Sequence, residues 1–143
     1  MDLSEPLRTA VIGESTITNE LAAYKGSFPV FTRRPVSDDA VYPMIVISSG
    51  MQAGEFDGLT DQRPVLVRDV LVYGSNETAA KYRQVEAIAN TVWSLFNRGW
   101  QSILVSGWKV VEIIASGPSP APTDDEQTVG RRIELTITLA KSN

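Results

Sequence analysis

The sequence predicts an α+β domain: a largely antiparallel sheet covered by one long helix, with short helices at the N-terminus. Three observations carry this. Residues 78–98 place Val85, Ile88, Ala89, Val92, Trp93, Leu95 and Phe96 on one helical stripe, with Lys81, Arg83, Gln84, Glu86 and Asn90 mostly elsewhere around the helix. The terminal segment alternates strictly, Ile133, Leu135, Ile137 and Leu139 inward and Glu134, Thr136 and Thr138 outward, which is the period of a half-buried strand. The β-rich runs are grouped on either side of the helix without regular strand–helix alternation.

The elements follow in order. Leu3, Leu7, Ala10 and Val11 recur at helical spacing, with Pro6 in a first turn and Gly13 as the stop. A second short helix is expected at about 17–24, capped by Ser15 or Thr16 and ended by Lys25-Gly26. Residues 28–32 read as a short extended piece weakened by Pro29. A polar connection carrying Arg33, Arg34, Asp38 and Asp39 leads to Tyr42-Pro43-Met44-Ile45-Val46-Ile47-Ser48. This run has no charge, as suits a strand buried on both faces or at a subunit contact. Residues 50–64, with three Gly and the acids Glu55, Asp57 and Asp61, read as a long loop or hairpin tip. Residues 65–73 form a second strand, interrupted by Arg68 and Asp69. Gly74-Ser75-Asn76 turns the chain, Asn76 is the expected cap of the long helix, and Gly99 its left-handed stop. Residues 103–105, Ser106-Gly107 and residues 108–115 read as a hairpin leading into a strand. The prolines Pro118, Pro120 and Pro122, followed by Asp124, Asp125 and Glu126, predict that 117–130 is a mobile loop outside helix and sheet.

The 143 residues suit one domain spanning 1–143, large enough for its own core. With 13 Lys and Arg against 17 Asp and Glu, the net charge of −4 argues against a general nucleic-acid binder. No Cys means no disulfide, thiolate nucleophile or Cys-ligated metal, and no His removes the commonest general base and imidazole ligand. No basic-then-apolar leader opens the chain, and no apolar run reaches the roughly 18–20 residues of a membrane span. A soluble intracellular protein is the expectation.

No phosphate-cradling glycine motif occurs, and no imidazole exists to activate Ser or Thr. The adjacent acids Asp38-Asp39 and Asp124-Asp125-Glu126 lack calcium-loop spacing. No enzyme activity, catalytic residue, cofactor or metal is therefore expected. The basic pairs Arg33-Arg34 and Arg131-Arg132 stand without flanking basic or aromatic runs, which favours surface ion pairing over phosphate contact. Trp93, Trp100 and Trp108 read as core or core-edge groups. Long loops in compact domains are commonly functional, so the two loops are expected either to touch neighbouring subunits or another protein, or to be tolerated surface insertions. The candidate interface residues are Arg33, Arg34, Glu55, Asp57, Asp61, Asp124, Asp125, Glu126 and Arg131.

The whole chain resembles the tail terminator (tail completion) proteins of long-tailed bacteriophages and phage-derived particles. The resemblance rests on the short opening helix, the run Tyr42-Pro43-Met44-Ile45-Val46-Ile47, and the strand Val67-Arg68-Asp69-Val70-Leu71-Val72-Tyr73 leading through Gly74-Ser75-Asn76-Glu77 into the long helix. The terminal strand of residues 132–139 and the length fit as well. The resemblance implies a structural virion protein of the tail or neck, assembled in the host cytoplasm. Its ring, usually of six subunits, caps the head-proximal end of the tail tube, stops tube growth and meets the head-closure or connector protein. DNA would only pass through the lumen, which an acidic balance suits. In such a ring, Arg33 and Arg34 of one copy are expected to face Asp124, Asp125 and Glu126 of the next. Another neck component, a head-closure or adaptor protein, is the alternative, ahead of a small-molecule-binding α+β domain.

Overall fold

The protein is known from a computed structural model that describes residues 3–32, 41–48, 65–123 and 126–141. Its elements are α1 (Ser4–Ile12), α2 (Ser15–Thr18), β1 (Val30–Phe31), β2 (Met44–Ser48), β3 (Val65–Ser75), α3 (Ala79–Arg98), a 3-10 turn (Trp100–Ser102), β4 (Trp108–Pro120) and β5 (Thr128–Lys141). The five strands form one sheet in the order β1-β2-β3-β5-β4. Every pair is antiparallel except β1 with β2. One α+β domain with a mostly antiparallel sheet results, as the patterning predicts.

The helices lie on one face of the sheet. From α3, Val85, Ile88, Ala89, Val92 and Phe96 are buried against Val70 and Val72 of β3, Ile113 of β4 and the alternating Ile133, Leu135, Ile137 and Leu139 of β5. Leu3, Leu7 and Val11 bring α1 into the same core. Burying each such side chain contributes about 1.5–3 kcal/mol, so this face outweighs the intrinsic propensity of either helix. Trp93, Trp100 and Trp108 pack partly buried at its rim, and Trp93 Nε1 donates to the Ala115 carbonyl at 2.9 Å. Ile45 and Ile47 of β2 face this core, while Val46 joins Leu71 and Tyr73 in a small cluster on the other face. The uncharged β2 run is thus buried on both faces.

Local chemistry moves several boundaries. The cap of α3 is Thr78, whose hydroxyl accepts from the Lys81 amide, and not Asn76. The Asn76 amide instead donates to the Gln127 carbonyl at 2.7 Å, tying the β3–α3 turn to the start of β5. Gly99 closes the helix at φ −104°, outside the left-handed region, with its amide on the Leu95 carbonyl. The second helix stops at Thr18, shorter than expected, and its cap is Glu14. Its end tightens into i→i−3 bonds at Glu20 and Leu21, and Tyr24 and Ser27 then exchange both backbone hydrogen bonds around Lys25-Gly26.

Two larger corrections concern charged and proline-rich positions. Arg68 and Asp69 do not interrupt β3; they are buried within it. The loop predicted over 117–130 is corrected at both ends, because β4 runs on to Pro120 and β5 begins at Thr128. Prolines are compatible with this strand because it lies at the sheet edge and is bulged between Ser116 and Ser119. Gly117, at φ +107°, allows that bulge: a Cβ there would stand 2.7 Å from the Arg132 carbonyl. The segment 50–64 lies outside the described residues.

Gly74 shows how closely α3 meets the sheet. A Cβ on it would fall 2.2 Å from Cγ2 of Val85, a stiff, buried, β-branched side chain. Gly74→Ala should therefore cost about 1–3 kcal/mol by overpacking. Val85→Ala in the same chain should return part of that loss, a non-additivity measurable by urea unfolding of the two single variants and the double.

Candidate functional site

Two features govern what this surface can bind: how the sheet ends at its edges, and what stands at the two ends of its strands. At the β1 edge, the Ile45 amide donates to the Pro29 carbonyl, so the parallel ladder turns the polar backbone of Val30 away from β2. Both outward groups are already used. The Val30 amide donates to the Phe28 carbonyl at 2.8 Å, and its carbonyl accepts from Arg8 Nε of α1 at 3.0 Å. The β4 edge is blunted differently, by two register shifts, by Pro118 and Pro120, and by the bond from Trp93 to the Ala115 carbonyl. These are the devices that keep edge strands from recruiting further strands.

The strand ends carry two clefts. At one end, where β2 and β5 begin and β3 finishes, a polar cleft of about 340 Å³ is lined by Tyr42, Ser75, Lys81, Gln84 and Gln127 among others. Tyr42 stands 48% exposed there and Val41 37%. Lys81 makes an exposed i,i+4 pair with Glu77 at 3.2 Å. At the opposite end, α1 and the chain leaving α3 enclose a groove of about 570 Å³. Its apolar lining comes from Pro6, Ala10, Leu95, Ile103 and Leu104, with Glu5 among its polar residues. Leu104 is 86% exposed, an unusual position for a leucine beside an apolar groove.

Arg131, Arg132 and Glu134 of β5 are paired within the chain, on the two faces of the sheet. On the face opposite the helices, Asp69 of β3 stands directly across from Glu134 of β5. Arg132 lies between these two acids: its Nε is 3.1 Å from Asp69 Oδ1 and its Nη2 bonds Glu134. The Nε–H is not aimed at the Asp69 oxygen, so that contact is an ion pair without a hydrogen bond of good geometry. On the helix side, Arg131 donates to Glu86 at 2.6 Å and to the Tyr82 hydroxyl, with its guanidinium 5.4 Å from the Tyr82 ring centre.

The residues expected at an interface are therefore dispersed. Arg131 joins β5 to α3 within the chain. Glu126 is exposed in the β4–β5 turn, where its carbonyl meets Asn76 Nδ2 at 3.5 Å. Arg33, Arg34, Glu55, Asp57, Asp61, Asp124 and Asp125 lie outside the described residues. Among the described residues, no three His, Cys, Asp or Glu side chains converge as a metal site, and no helix is long and apolar enough to cross a membrane. Sequence reasoning missed the groove beside Leu104. The available signal was a leucine two residues before the Ser106-Gly107 turn, which reads equally well as part of a buried hairpin.

No protein-family model matches the chain, and no curated protein matches it. Among solved structures, it is similar to a chain from the virion of a native gene transfer agent particle, with a TM-score of 0.66. The superposition covers 99% of this chain and 95% of that chain at 13% identity. The two chains share a fold over nearly their whole length.

Proposed function

We propose that the protein is a structural component of a phage-derived virion, a tail terminator whose ring caps the head-proximal end of the tail tube and meets the head connector. The observation that carries this reading is the end-to-end fold likeness to a gene transfer agent virion chain, from a sequence whose strand and helix pattern resembles tail terminators. The absence of His and Cys from the whole chain supports an assembly role without an active site. A ring of identical subunits needs a heterologous contact, two different patches on each copy, and the dissimilar strand ends offer such a pair.

Deleting the gene and imaging the particles by electron microscopy tests the role. Loss of a terminator should leave tail tubes of uncontrolled length that do not join filled heads. Tails of normal length that fail to attach would instead indicate a head-closure or adaptor protein. Normal, infectious particles would overturn both.

A further inference from the structure

We draw no further inference here: the strongest candidate, the groove between α1 and the chain leaving α3 beside the exposed Leu104, is an unpartnered apolar concavity, and nothing in the structure shows what covers it.

Discussion

Arg132→Met is expected to lower the free energy of unfolding by about 3 kcal/mol, seen as a lower urea midpoint at unchanged slope. The cause is what it leaves behind. Asp69 is 3% exposed in the middle of β3, and its cross-strand partner on β5 is a second acid, Glu134. Like charges directly opposite on paired strands destabilise a sheet, and Arg132 is the cation that lies between them. Removing it strands a buried carboxylate beside another negative charge, which for buried pairs costs about 3–5 kcal/mol. The lower end applies here because the Arg132 side chain is 31% exposed and water can replace part of its effect. Replacing both partners, Asp69→Leu with Arg132→Met, should recover most of the loss, because the uncompensated charge is then gone. A single variant within 0.5 kcal/mol of the natural protein would show that the pair does not carry the register of β3 on β5.

This network also marks where the sequence stops being readable. Arg68 and Asp69 in an apolar run look like an interruption, since a lone charge inside a strand is costly. For Asp69 the compensation comes from Arg132, 63 positions away, and only the β3–β5 register brings it there. By contrast, α3 was legible almost residue by residue. Its stripe is set by 3.6-residue periodicity, and the buried set Val85, Ile88, Ala89, Val92 and Phe96 follows it. Strand β5 was legible for the same reason at period two.

The proline-rich segment failed in an instructive direction. Proline forbids the interior of a sheet because the missing amide breaks a ladder, but that rule concerns strands paired on both sides. On β4 one side is open, and a bulge at Gly117-Pro118 absorbs the residue that does not fit. Sequence pattern alone does not say which strand lies at an edge. The same gap hid the groove beside Leu104, whose walls come from α1 and from the chain after α3, nearly a hundred residues apart. The candidate interface residues are charged loop positions because loops carry function, whereas the exposed large apolar side chains among the described residues are Val41, Tyr42, Leu104 and Ile114.

Phe96→Ala tests the packing that holds that groove in place. Phe96 is fully buried on α3, next to Leu95, which lines the groove, and one turn before the 3-10 segment that leads to Leu104. Emptying its site removes the transfer free energy of the ring and leaves a cavity in the closely packed core, a cost of about 3–5 kcal/mol. That is a large part of the roughly 5–15 kcal/mol available to a domain of this size. Phe96→Leu keeps more of the volume and should cost about 1–2 kcal/mol. Both variants should loosen the groove in proportion to their loss of stability, because it is held in place by the packing beneath it. Leu104→Glu should leave stability within about 0.5 kcal/mol of the natural protein, since its side chain is almost wholly in solvent. Urea unfolding of the three variants distinguishes the two behaviours. If Phe96→Ala costs less than about 1 kcal/mol, the C-terminal end of α3 is not the rigid support that a groove at this position requires.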